Sequence, residues 1–326
     1  MMFQKIINHK FNRNIVNNIQ FNTFYGKFMI SSKNYFSSFQ NEKQKLTMNE
    51  NIKKEFENLK KFVKIKNFEK AKLIFDKLKH TLDGEIKLKA YNIYFKLIVE
   101  KNPENGDEFI KEMLENKITP NEFTISIWIK SFCDKGNPEK AEKIFRNLKQ
   151  FNIQPNVIIN NFLIQSFAKK GKLDYSLYLF KEMNENGIKP NDYTYNCIIN
   201  ALIKKDKMYK AMELFNEMKL NDIKPNIVTY NCLIDGFLKQ GEMKKAMELF
   251  NQMKLENINP DIVTYNCLID CFSKQGEMKK AMELFNQMKL NHLKPDVVTY
   301  NCLIDGFLKQ REMKKAMEIF NEMKLK

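Results

Sequence analysis

A block of sequence returns every 35 residues, and no other property of this chain restricts its fold as much. Val228-Thr229-Tyr230-Asn231-Cys232-Leu233-Ile234-Asp235 comes back at Val263–Asp270 and at Val298–Asp305, and Pro120, Pro155, Pro190, Pro225, Pro260 and Pro295 fall on the same grid. Stepping backwards finds Tyr193-Thr194-Tyr195-Asn196, then more diverged stretches from Ile158, Phe123 and Leu88, and Asn67–Lys79 still echoes Gly241–Lys254. The grid covers residues 52–326, seven complete units and a truncated eighth. A length of 326 residues would otherwise suggest two globular domains. A period in this range instead means one supersecondary unit stacked on copies of itself.

Within a unit, position 1 is taken as the second residue after the grid proline, for example Ile227. Tyr230, Leu233, Ile234 and Phe237 are then spaced i, i+3, i+4, i+7, the apolar face of a first helix. Gly241 marks a break, and Met243, Ala246, Met247, Phe250 and Met253 form the apolar stripe of a second helix. Asn102-Pro103 and Asn137-Pro138 open that second helix in two earlier units with an N-cap and a proline at the first helical position. The grid proline ends each unit, because its ring and missing N–H cannot continue a helix. A helical hairpin cannot cover its own apolar faces, so neighbours must stack. The expected fold is all-α, an α-solenoid of stacked helix-turn-helix repeats. Ten glycines and eight prolines fit this better than a turn-rich β protein.

The formal charge of +16 is unevenly spread. Residues 1–41 hold Lys5, Lys10, Arg13, Lys27 and Lys33 and no acid, which leaves eleven net charges for the other residues. Phe3, Ile7, Phe11, Ile15 and Ile19 recur every fourth residue, and Ser31, Ser32, Ser37 and Ser38 follow. Basic, acid-free, amphipathic and then hydroxylated is the pattern of a mitochondrial presequence. Residues 1–41 are therefore expected to be a targeting segment, 42–51 a linker and 52–326 the array, working in the mitochondrial matrix. No apolar run reaches the roughly 18 residues that would cross a bilayer. Six cysteines without a C-x-x-C pair make neither a disulfide scaffold nor a metal site. His9, His80 and His292 have no catalytic partner at a useful spacing, and no cofactor motif occurs. No enzymatic centre and no cofactor are expected.

The 35-residue unit VTYNxLIDGF…KQGEMKKAMELFNQM…INPD resembles the pentatricopeptide repeat. The likeness is strong from Ile158 onward, fair around Phe123 and weak around Leu88 and Lys53. The tetratricopeptide repeat, with its 34-residue period and W…LG…Y pattern, does not fit. All units share one length, as in the subclass built only of 35-residue motifs. The resemblance implies a right-handed superhelix that binds single-stranded RNA in organelles, one base per repeat.

Several positions carry the expected chemistry. Position 5 is Asn161, Asn196, Asn231, Asn266 and Asn301, with Ser126 in the preceding unit. Asparagine is a mediocre helix former, and its amide offers donors and an acceptor to a base edge. An exposed location on the face opposite the core is expected for it. The residue after each grid proline is Asn121, Asn156, Asn191, Asn226, Asp261 or Asp296, which suits helix capping. The resemblance implies that it also joins position 5 in choosing the base. Position 2 carries Phe123, Ile158, Tyr193, Val228, Val263 and Val298, which by the same resemblance sandwich the bases; packing between repeats explains them equally well. Position 13 carries Lys169, Lys204, Lys239, Lys274 and Lys309, a ladder suited to phosphates and also to helix C-termini. Cys197, Cys232, Cys267 and Cys302 at position 6 read as packing, as does Trp128 at position 7.

The family's pairing rules make Ser126 with Asn156 an adenine reader. Asn161 with Asn191 and Asn196 with Asn226 resemble pyrimidine readers favouring cytosine. Asn231 with Asp261 and Asn266 with Asp296 resemble uracil readers. Asn301 has no partner, while Tyr91 with Asn121 and Phe56 with Ile86 depart from the pattern. The implied core is 5′-A-Y-Y-U-U-3′, acting in transcript stabilisation, processing or translation with partner proteins. A peptide-binding adaptor and a structural subunit of an organellar ribonucleoprotein remain the alternatives. The uncapped last hairpin is also expected to offer a surface for self-association.

Overall fold

The computed structural model describes residues 50–324. The expected targeting segment and most of the linker lie outside the described residues. Contacts separate residues 1–55 from a second unit, 56–326, and of the first only the opening of one helix is described.

Sixteen α-helices and two short 3-10 turns make up the described residues. They are α1 (Glu50–Lys64), α2 (Phe68–Thr81), α3 (Gly84–Lys101), α4 (Gly106–Glu115), α5 (Glu122–Asp134), α6 (Pro138–Arg146), α7 (Val157–Lys169) and α8 (Leu173–Glu185). The rest are α9 (Asp192–Lys204), α10 (Met208–Leu220), α11 (Ile227–Lys239), α12 (Met243–Leu255), α13 (Ile262–Lys274), α14 (Met278–Leu290), α15 (Val297–Lys309) and α16 (Met313–Lys324). Odd-numbered helices are the first helices of hairpins, and even-numbered ones the second. From α5 to α13 each first helix packs on its own second helix and on the first helices before and after it, and α15 packs on α13 and α16. The expected α-solenoid is the observed fold, with the first helices forming one continuous layer.

The first-helix stripe read from the sequence is buried whole, while in the second helix Met243 and Met247 are only half-buried and Leu249, outside the expected stripe, is buried instead. Tyr230, Leu233, Ile234 and Phe237 of α11 and Ala246, Leu249, Phe250 and Met253 of α12 are all buried. Neighbouring hairpins are joined by an aromatic pair in which a phenylalanine of one second helix meets the tyrosine of the next first helix. Phe180–Tyr195, Phe215–Tyr230, Phe250–Tyr265 and Phe285–Tyr300 lie edge-on with ring centroids 5.4–5.6 Å apart. Such a contact adds about 0.5–1.5 kcal/mol beyond the area it buries. Gly236 shows how close successive repeats come, since a Cβ there would stand 2.9 Å from the Ile203 side chain.

The turn between the helices of most hairpins needs a left-handed residue. Gly136, Gly171, Gly241 and Gly276 supply it with φ of 74–79°, whereas Asp206 and Arg311 adopt it with side chains attached. A Cβ on Gly241 would meet no atom within 4 Å, so only backbone conformation opposes a larger residue there. Gly241→Ala is expected to lower stability by about 1 kcal/mol and Arg311→Gly to raise it by a comparable amount, both read from denaturant midpoints.

Candidate nucleic-acid interface

The first helices α5, α9, α11, α13 and α15 each start with a capping box whose parts do double duty. The side chain of Asp261 accepts the backbone N–H of Thr264 at 2.9 Å, and the Thr264 hydroxyl oxygen accepts the N–H of Asp261 at 3.1 Å. The same two side chains reach the preceding repeat. Asn231 Nδ2 donates to Asp261 Oδ1 at 3.2 Å, and the Thr264 hydroxyl donates to Asn231 Oδ1 at 2.6 Å. Asn161 with Asn191 and Thr194, Asn196 with Asn226 and Thr229, and Asn266 with Asp296 and Thr299 repeat this arrangement, with amide contacts of 3.1–3.3 Å and hydroxyl contacts of 2.6–2.7 Å. The residues at position 5 and at the end of the unit are thus brought into contact in four successive repeats.

The expectation that position 5 is exposed is wrong. Asn161, Asn196 and Asn231 are 6%, 6% and 4% exposed, because the next capping box folds over them. An unpaired buried amide is costly, so asparagine at position 5 has a structural reason of its own. What remains for an outside ligand is limited. The position-5 amide keeps one N–H outside this network, and the capping residue keeps its outer atom. In Asp261 and Asp296 that atom is a carboxylate oxygen, a pure acceptor; in Asn191 it is an amide nitrogen, a donor. An acceptor complements a ring N–H such as N3–H of uracil, and a donor complements a ring acceptor such as N3 of cytosine.

Acids at position 1 refine this. Asn226 Nδ2 donates to Asp192 Oδ2 of the preceding repeat at 2.7 Å, and Asn156 Nδ2 pairs with Glu122 in the same way. Ahead of the two Asp caps the corresponding residues are Ile227 and Ile262. Like charges are thereby kept apart.

The position-2 side chains flank this network. Phe123 and Ile158 are each 38% exposed, and Tyr193, Val228, Val263 and Val298 are half-buried. The five position-13 lysines are exposed at the helix ends. They are not an unopposed ladder, since Lys239, Lys274 and Lys309 pair with Asp235, Asp270 and Asp305 one turn earlier. At the corresponding places before Lys169 and Lys204 stand Gln165 and Asn200. Partial burial lowers the Lys204 pKa, and the neighbouring Lys239 and Lys169 ammonium groups push the same way.

Sequence models of the PPR repeat family match residues 155–203, 193–236, 225–273, 260–307 and 295–326, and a model of the PPR repeat matches 123–153. Together these ranges span more than half of the chain. The chain belongs to the pentatricopeptide repeat family. A comparison with curated proteins gave no match. Among solved structures it is similar to the pentatricopeptide repeat protein PPR10 from maize, at 19% identity and a TM-score of 0.58, over 90% of this chain and 46% of that one. It is also similar to PPR10 in complex with an 18-nt psaJ RNA element, at 18% identity and a TM-score of 0.53, over 91% and 47%. The chain thus spans about half the length of these solved relatives.

Not every pentatricopeptide repeat here follows the expected register. Ser126 does not reach Asn156; its hydroxyl donates to the Glu122 carbonyl at 2.7 Å, and Ile159 stands where the other caps are followed by threonine. The side chain is too short, and the linking hydroxyl is absent. In the second hairpin the residue that meets the next capping box is Asn92, not Tyr91. Asn92 Nδ2 donates to Asn121 Oδ1 at 3.3 Å, and the Thr124 hydroxyl donates to Asn92 Oδ1 at 2.5 Å. The Tyr91-Asn92 dipeptide, matching Tyr230-Asn231, was the available signal. Asn301 is half-buried at the last repeat. Trp128 packs as expected, 3% exposed, with its indole N–H on the Pro103 carbonyl at 2.8 Å. Burial pushes the thiols of Cys197 and Cys232 up to about 12, so they stay protonated at neutral pH. No cluster of metal-ligating side chains occurs among the described residues, and none of their helices is long and apolar enough to cross a membrane.

The acid–amide pairing makes a double-mutant prediction. Asn226→Asp alone sets a second carboxylate against Asp192 and is expected to lose stability on the order of 1–3 kcal/mol. Adding Asp192→Ile, which copies Ile227, should restore most of that loss in a thermal melt.

Proposed function

We propose that this protein binds single-stranded RNA in mitochondria and reads about one base per repeat, with no catalytic step of its own. The observation that carries the reading is the pairing of position 5 with the capping residue in four successive repeats. Every pair leaves a small hydrogen-bonding edge whose donor or acceptor character depends on the cap. Rigid pairs of this kind at a constant interval suit a polymer of spaced bases better than a folded protein partner. Similarity to a PPR protein solved with an RNA element supports the substrate class. The acid-free leader supports the location.

In this reading Asn161–Asn191 and Asn196–Asn226 take pyrimidines with cytosine favoured, and Asn231–Asp261 and Asn266–Asp296 take uracil. Ser126–Asn156 is assigned adenine by family resemblance alone, since its side chains do not meet. Half-exposed apolar groups at position 2 stack on the bases, and the position-13 lysines meet phosphates. Occupying a transcript segment would shield it from nucleases, set an RNA end or open a hairpin for translation. Cleavage would belong to a partner.

Asp261→Asn is the direct test, because it converts an outer acceptor into a donor while preserving the cap. Preference at the one nucleotide read by Asn231 and residue 261 is expected to move from uracil to cytosine. The expected change is about 1–3 kcal/mol of discrimination, measured by competition binding across the four bases. An unchanged profile would overturn the reading. Lys204→Gln should weaken all sequences alike and flatten the salt dependence by about one unit of slope. Lys239→Gln should do less, because Asp235 already offsets that charge.

A further inference from the structure

We propose that the second hairpin is a working base reader, with Asn92 and Asn121 as its pair and a pyrimidine, cytosine favoured, as its ligand. This inference rests on the RNA reading above and lengthens it by one nucleotide at the 5′ end. No family match covers residues 84–118, and counting back by 35 places Tyr91 at the reading position.

The geometry points to a displacement of the register rather than a loss of function. Asn92 is 5% exposed and sits in the same three-residue network as Asn161, Asn196, Asn231 and Asn266. Tyr91 is fully buried and meets Phe75 edge-on at 4.8 Å, the place taken by Tyr230 against Phe215. The whole first helix therefore keeps its orientation while its numbering moves by one. Asn92 and Asn121 are 29 residues apart, where the other pairs are 30 apart.

The missing residue can be located. Every other hairpin turn has one residue with positive φ, on a grid that includes Lys66, Gly136 and Gly171, and the grid point at Lys101 does not. Here α3 runs straight into Asn102, whose side chain caps a 3-10 turn at Glu104 N–H. Trp128 of the next repeat seals that shortened turn. Its indole donates to the Pro103 carbonyl, and it fills the space where Gly106 lacks a Cβ. The deletion thus lies at the far end of α3 and leaves the reading end intact.

The site has the remaining parts as well. Phe123, an exposed ring, directly precedes Thr124, which closes the network on Asn92. Leu88 occupies the place of Ile227, so no acid faces the outer amide of Asn121. That amide presents a donor, as in Asn191, which sets the class of base.

Binding of the full chain to RNAs containing 5′-N-A-C-C-U-U-3′, with N varied over four bases, tests this. Cytosine at N is expected to bind about fivefold or more tighter than a purine, the lower end for one base-edge contact. Asn121→Asp, a cap the fold already accepts at Asp261 and Asp296, should transfer the preference at N to uracil while its melting curve stays near wild type. If replacing the two uracils weakens binding but N changes affinity less than twofold and Asn121→Asp shifts nothing, this inference fails and the general reading stands. If replacing the uracils also has no effect, both fall.

Discussion

The bond between a position-5 asparagine and the capping box of the following helix is the contact on which this architecture depends. The capping box satisfies two backbone N–H groups at a helix start, and its bond to the asparagine links consecutive first helices and buries a side-chain amide without leaving it unpaired. The edge-on tyrosine–phenylalanine pairs hold the hairpins together from the apolar side. The polar link decides where, and how rigidly, each capping residue presents its outer atom. In the proposed reading, structure and recognition would share the same three side chains, with only the atom left over free to vary.

That sharing changes what asparagine at position 5 means. Its recurrence could suggest contact with a base, but its inner oxygen is committed to a threonine hydroxyl and one amide hydrogen to the cap. In the proposed reading, discrimination between uracil and cytosine would depend mainly on whether the cap ends in oxygen or nitrogen. The acids at Glu122 and Asp192 follow from the same logic. They appear only ahead of Asn caps, where a carboxylate accepts an amide hydrogen, and are replaced by isoleucine ahead of Asp caps, where charge repulsion would loosen the link. An exchange of Asn for Asp at one cap thus has a consequence in the neighbouring repeat.

Much of this was legible in the sequence, and the failures have physical causes. The period, the hairpins, the apolar stripes and the capping residues follow from spacing, because 3.6-residue periodicity and proline geometry act locally. The depth of the position-5 side chains did not follow, since it is the next repeat that covers them. Ser126 resembled a reader by position, yet a hydroxyl one bond from Cβ turns back to its own helix carbonyl when no threonine stands opposite. The second repeat was misplaced because prolines define the grid at the end of a unit, while the deletion falls in its middle turn. The Tyr91-Asn92 dipeptide carried the correct register, and sequence similarity around it was too weak to override the count.

The charge pattern shows the same limit of counting by position. Lysines recur every 35 residues at position 13, but in the last three repeats each is matched by an aspartate one turn earlier. In the second and third hairpins the signs are reversed, with Lys96 paired to Glu100 and Lys130 to Asp134. Exposed pairs of this kind contribute little to stability, so their arrangement is not explained by folding alone. Between these two zones, Lys169 and Lys204 follow Gln165 and Asn200, and the Lys204 pKa is lowered first by burial and then by the neighbouring lysine ammonium groups. In the proposed RNA reading, a phosphodiester laid along the first helices would meet no aspartate one turn before Lys204. Towards either end it would have to compete with carboxylates the protein already holds in place. Net charge sets the sign of such an interaction, and the local carboxylates set where along the array it is strong.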